Sequence, residues 1–268
     1  MTSAARPRLL RVALAGAVVS LLLNACASLD PGGKGARAAA QAAQGAAEQG
    51  GAPLRLARAA RGVHDFDAAI GIYKTALQSN PSDWKTVVEL GETQLEAERI
   101  DDAIATFGKV PPHSKAALGA QLGLERAELM LSRPAAALEH ADKALATDPR
   151  STRALIGRGV ALDMLGRHVE AQASYRGALA GAPDDVAGRS DLALSLALSG
   201  QYDEAIAIMT PLVRAPSATP RLRQNLALIY GLKGDQASAR ALSLADLGAK
   251  DTEDNLQFFA MLHSGQDK

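Results

Sequence analysis

Apolar residues recur along this chain at the three- and four-residue spacing of a single helix face, and the arrangement repeats every 34 residues. Ala69, Ala103, Ala137, Ala171, Ala205 and Ala239 mark the longer period six times without a slip. If each repeat is numbered from 1 to 34, the first starts at Gly50 and the next five at Trp84, Leu118, Thr152, Val186 and Pro220. The alanines then fall at position 20. Position 7 reads Leu56, Leu90, Leu124, Arg158, Leu192 and Leu226, and position 8 reads Ala57, Gly91, Glu125, Gly159, Ala193 and Ala227. Position 24 carries Tyr73, Phe107, Ala141, Tyr175, Met209 and Ser243, and position 27 carries Ala76, Val110, Ala144, Ala178, Leu212 and Asp246. Pro81, Pro149 and Pro183 share position 32, where proline stops a second helix. Each period therefore predicts two helices and a turn, and no strand-like alternation competes.

Two helices approach closely only where facing side chains are small, so positions 8 and 20 favour Gly or Ala, and larger residues at 7 and 24 fill the space beside them. In this order the residues resemble the tetratricopeptide motif (Leu, Gly or Ala, Ala, aromatic, Ala, Pro) over residues 50–251. The resemblance implies an all-α, right-handed superhelical solenoid of about six helix–turn–helix repeats, working by presenting a surface to a protein partner. Some positions depart from the motif. Glu125 and Arg158 predict looser packing in repeats 3 and 4, and Pro111-Pro112 predict an early end to the second helix of repeat 2. Pro211 predicts a kinked or shortened helix in repeat 5. Asn255–His263 reads as an amphipathic capping helix within a closing segment, 252–268.

The N-terminal pattern is different. Arg6, Arg8 and Arg11 lead into the apolar run Val12–Leu23, too short to span a bilayer and suited to a secretory signal. The run ends in Leu23-Asn24-Ala25-Cys26, which resembles a bacterial lipobox and makes Cys26 the lipidated residue after removal of residues 1–25. Ala25-Cys26-Ala27 also reads as an ordinary Ala-x-Ala cleavage site, and that alternative stays open. Ala27 after the cysteine resembles the outer-membrane class, facing the periplasm. Residues 26–49, rich in Ala, Gly and Gln, then form a tether whose reach as a coil is roughly 25–30 Å; Ala36–Glu48 has the alanine content of a helix.

Composition excludes several functions. The formal charge is zero, and loss of the three leading arginines leaves 26 basic against 29 acidic residues, a net −3. That is no footprint for a nucleic acid. Cys26 is the single cysteine, so no intrachain disulfide forms, and the five histidines show no ligand spacing. Gly157-Arg158-Gly159 lacks the third glycine of a dinucleotide loop and lies within a first helix. Asp101-Asp102 and Asp184-Asp185 fall at helix starts, where they offset the dipole. The reading is therefore no enzyme, no metal and no cofactor.

In the family this chain resembles, first-helix positions 5, 9, 12 and 13 line the groove. Here they give an apolar set for partner binding: Val88, Leu122, Leu129, Met130, Ile156, Val160, Met164, Leu194, Leu198, Leu228 and Leu232. Charge is concentrated earlier, with Arg58, Glu92 and Arg126 at position 9. Such a groove suits an amphipathic helix or extended segment of a partner, and methionine helps it adapt.

The run Arg223–Gly234, with Ala245-Asp246-Leu247 and the closing helix, resembles the TadD-like lipoproteins of the tight-adherence (Flp pilus) assembly system. The resemblance implies an outer-membrane lipoprotein assisting assembly of the Flp pilus machine, pilotin-like toward its secretin. A lipoprotein adaptor in β-barrel assembly, in peptidoglycan-synthase regulation or elsewhere in the pilus machine shares the same physical features.

Overall fold

The computed structural model describes residues 51–266. The signal segment, Cys26 and the tether lie outside the described residues. The described chain is all α and falls into two compact units that divide between Pro149 and Arg150.

The first unit holds α1 (Ala52–Gly62), α2 (Phe66–Ser79), α3 (Trp84–Glu96), α4 (Ile100–Phe107), α5 (Ala117–Met130) and α6 (Pro134–Thr147). The second holds α7 (Thr152–Met164), α8 (His168–Gly181), α9 (Val186–Leu198), α10 (Tyr202–Arg214), α11 (Pro220–Lys233), α12 (Gln236–Ser243) and α13 (Ala249–Gln266). Odd-numbered helices from α1 to α11 are the first helices of the repeats, and each packs against the even-numbered helix that follows.

Local chemistry sets the ends. Asp65, Asp83, Ser151, Asp185, Thr219 and Asp235 accept a hydrogen bond from a backbone N–H of the first turn that follows. The turn inside every repeat is closed by a left-handed residue at position 15: His64, Glu98, Ser132, Gly166, Gly200 and Gly234. The N–H of the residue after it then reaches back along the first helix, as from Asp65 to the Ala60 carbonyl at 2.9 Å and from Gln201 to the Leu196 carbonyl at 2.8 Å.

Packing follows the 34-residue register. All six position-20 alanines are wholly buried. In the first unit the Phe107 ring lies between Gly91 and Gly123, close enough that a Cβ at Gly91 would stand 2.6 Å from it. Val87, Leu95, Ala103 and Leu124 belong to the same cluster. In the second unit Tyr175 occupies the same place against Gly159, and Phe259 of α13 lies against Gly231.

Two expectations need correcting, and a third holds in part: Pro211 lies inside α10, which runs on to Arg214 and so ends one repeat position before α2, α6 and α8 do. Glu125 is 6% exposed and Arg158 donates to Ser174 Oγ at 2.8 Å, so both polar residues are accommodated rather than loosening their repeats. The capping helix starts at Ala249, well before its apolar pattern suggests. Its first residues carry the buried Thr252. The paired prolines act as expected: α4 stops at Phe107, before Pro111.

Candidate protein-docking surface

The first helices of each unit present the residues at positions 5, 9, 12 and 13. In the first unit Val88 and Met130 are half-buried, whereas Leu122 and Leu129 are only 6% and 5% exposed and belong to the packing. The charged residues beside them are paired. Arg58 grips Glu89 through two hydrogen bonds of 2.8 Å, and the Tyr73 hydroxyl donates to the same carboxylate at 3.1 Å. Arg61 bridges Glu96 at 2.7 and 2.6 Å and reaches Glu92 at 3.2 Å.

The titration shifts follow this geometry. Hydrogen bonding to Glu96 raises the Arg61 guanidinium above its ordinary value, against the opposing effect of burial. Burial pushes the Glu96 carboxyl up, but the bonds and charge of Arg61, with Arg126 more distant, outweigh it and hold the group low. Burial, then the charge of Glu89, raises the Tyr73 phenol. This ladder ties α1 and α2 to α3 and spends its charges internally.

In the second unit Ile156, Met164 and Leu198 are half-buried and offer apolar surface. Val160, Leu194, Leu228 and Leu232 lie deeper, at 8%, 2%, 3% and 1% exposure. The last two sit on α11, over which α13 closes: the His263 imidazole donates from Nδ1 to the Leu232 carbonyl at 2.8 Å. Leu194, Leu228 and Leu232 are core residues, so a polar substitution there disturbs packing before it can report on docking.

The second unit also holds buried acceptors without donors. Asn225 donates through Nδ2 to Ser190 Oγ at 3.0 Å, but its buried Oδ1 has no partner, and neither does Gln224 Oε1. Asp191, one residue after Ser190, is 6% exposed. Burial raises its carboxyl to about 7, partly opposed by the nearby charge of Arg221 and reinforced by Asp185 and Asp163. A carboxyl whose folded pKa exceeds its unfolded value of about 3.9 binds its proton more tightly when folded, so stability falls as pH rises from about 4 to about 7. Asp191→Asn should therefore stabilise the chain at pH 8 by about 2–4 kcal/mol and by little at pH 4. Urea unfolding at both pH values measures this, and equal gains would refute it.

A different polar centre lies deeper. Asp163 accepts from His168 Nδ1 at 2.8 Å, from Ser195 Oγ at 2.7 Å and from the Tyr175 hydroxyl at 3.0 Å. Ser, His and Asp meet here, but the serine is wholly buried and donates to the carboxylate, not to the imidazole. Without a base on its hydroxyl it is no nucleophile; the cluster ties α7, α8 and α9 together.

Two family models described as tetratricopeptide repeat match the chain, one at residues 60–122 and 164–229 and the other at 126–186, together well over half of it. The chain belongs to the tetratricopeptide-repeat family. Arrays of this family mediate protein–protein interactions and are typically non-enzymatic. Among solved structures, this tetratricopeptide array is similar to TTC0263, a thermophilic repeat protein of Thermus thermophilus. The two share 27% identity with a TM-score of 0.56, over 66% of this chain and 96% of that one. It shares its fold with PilW, a widely conserved type IV pilus biogenesis factor, at 22% identity and a TM-score of 0.64, over 71% of this chain and 88% of that one. A curated relative, the uncharacterized protein y4yS of Sinorhizobium fredii (strain NBRC 101917 / NGR234), is 38% identical over 85 residues. That match spans 32% of this chain and about half of the relative, 47%.

The period alone misses the acceptors of this tetratricopeptide array. The available signal was at position 6, where Gly123 and Gly157 give way to Asp191 and Asn225.

Proposed function

We propose that the array captures a segment of a secretin subunit and so assists assembly of the Flp pilus machine, acting as an outer-membrane lipoprotein that faces the periplasm. The observation carrying the capture is the set of half-buried apolar side chains Ile156 and Met164 on α7 and Leu198 on α9, two successive first helices of the second unit. An incoming segment with apolar side chains would cover this surface. The lipobox-like sequence at Cys26 and the TadD-like C-terminal run support the compartment and the machine. The shared fold with a pilus biogenesis factor agrees with a pilotin-like role. Tethering at the membrane would raise the local concentration of the captured subunit where it must oligomerise.

Deletion of the protein should remove detergent-resistant secretin multimers from the outer membrane. Met164→Asp and Leu198→Asp should do the same while leaving the circular-dichroism melt unchanged, with capture weakened at least about tenfold by loss of apolar contact. Normal multimers in the deletion strain would hand the array to another partner, such as the β-barrel or peptidoglycan machinery. Normal multimers with the variants alone would move the docking surface elsewhere on the array.

A further inference from the structure

Helices α10, α11 and α12 of the second unit surround an open pocket of about 340 Å³. None of the residues lining it stands at position 5, 9, 12 or 13 of a first helix, so it is separate from the apolar strip. Val213, Leu226 and Leu242 make its apolar walls, each buried or half-buried. Arg214, the last residue of α10, is the single charge in the lining, and no acidic residue accompanies it there.

Two of these residues depart from the repeat. Position 11 is Leu162 and Leu196 in the two preceding repeats, both wholly buried, but Tyr230 in the last, where the side chain is half-buried. Position 29 reads Gln78, Pro112, Ala146, Ala180, Arg214 and Gly248, so repeat 5 alone places a cation there. Arg58, Arg61 and Arg223 are each held by a carboxylate. Arg214 has no ion pair or hydrogen bond among the described residues.

The hydroxyl groups of the lining narrow the choice of ligand. Thr210 Oγ1 donates to the Ile206 carbonyl at 2.7 Å, and Ser238 Oγ donates to Asp235 Oδ2 at 2.7 Å. With their hydrogens committed, these oxygens have only lone pairs left to offer. A matching ligand therefore brings a carboxylate for Arg214, N–H donors for the two hydroxyls and an aliphatic group for the walls. A fatty acid supplies the first and the last but has no N–H. A peptide with an acidic residue beside an aliphatic one supplies all three.

We propose that this pocket docks a partner protein through an acidic–aliphatic pair of residues. The carboxylate pairs with Arg214, the aliphatic side chain packs against Val213, Leu226 and Leu242, and main-chain N–H groups donate to Thr210 and Ser238. The array then has a second recognition surface, built from second helices as well as a first helix. It does not depend on the secretin reading.

NMR titration of the isotope-labelled full chain in detergent tests this, with acetyl-Gly-Asp-Leu-Gly-amide and acetyl-Gly-Leu-Asp-Gly-amide as probes. One of the two orders should shift the Tyr230, Ala241 and Leu242 signals saturably. Asn in place of its Asp should weaken binding about three- to tenfold, the scale of a partly exposed Arg–carboxylate pair. Arg214→Gln should erase the difference between the Asp and Asn peptides, and Ala241→Leu, which narrows the pocket, should weaken both. Arg214 and Ala241 are exposed, so neither variant should move the thermal melt. No saturable shift with either order would overturn the proposal, as would equal affinity for the Asp and Asn peptides. Octanoate shifting the same signals as strongly, with the same dependence on Arg214, would assign the pocket to an acyl carboxylate and equally overturn it.

Discussion

A Phe107→Ala chain should lose about 3–5 kcal/mol of stability, among the larger effects of a single truncation. The ring is 1% exposed and is the widest side chain of α4, a helix of only eight residues. It stands between two glycines, Gly91 of α3 and Gly123 of α5, and lies too close to either for a Cβ. Truncation would leave a cavity walled partly by helix backbone, which cannot follow as a side chain would. The same geometry makes a second claim. Gly91→Ala should also destabilise, by about 1–3 kcal/mol through overpacking and despite the better helix propensity of alanine. In the double variant the new methyl enters the space the ring has left, so the combined loss should be smaller than the two single losses together. Urea unfolding of the four chains settles the matter. A Phe107→Ala loss under about 1 kcal/mol, or strict additivity, would mean that the ring is not the wedge between α3 and α5.

Phe107 also shows why this fold was legible. A fixed alanine every 34 residues means that two helices must touch at one place in each repeat, and all six of those alanines are wholly buried. The helix pairs, the position-24 wedges and the early stop before Pro111 all follow from that register. Depth was not legible. The period places Leu194 and Leu228 on the face of a first helix but does not say how far neighbouring helices cover that face, and both are core. The charged positions misled in a similar way. Arg58 looks like a groove charge in the sequence, but a glutamate contributed by the next first helix neutralises it in space, as two others neutralise Arg61. Asp191 is hidden for a further reason: burial alters its protonation, and burial is a property of three dimensions. The turn residue escaped notice because only three of its six occurrences are glycine; His64, Glu98 and Ser132 take the left-handed conformation with a side chain attached. The hydrogen bond that closes the turn offsets a backbone cost of about 1–2 kcal/mol at each.

The second large effect is expected at Asp163. Asp163→Ala should cost about 3–5 kcal/mol, because three donors converge on this carboxylate and two of them are shut off from water. Ser195 is wholly buried, as is Tyr175, and the His168 imidazole is fixed at 2.8 Å. The phenol is raised well above its ordinary range, first by burial and then by the nearby negative charges of Asp163 and Asp191, so it stays protonated and must donate or go unsatisfied. Asp163→Asn separates hydrogen bonding from charge. The amide oxygen can still accept from His168 and Ser195, while the amide N–H₂ faces the Tyr175 hydroxyl, which can turn to accept. The asparagine chain should therefore recover more than half of what the alanine chain loses. Equal losses for the two variants would show that charge, not the count of satisfied donors, holds the cluster together. A loss below about 1 kcal/mol for Asp163→Ala would show that α7, α8 and α9 are held by their small-residue contacts alone, with Gly159 against Tyr175 sufficient without the polar centre.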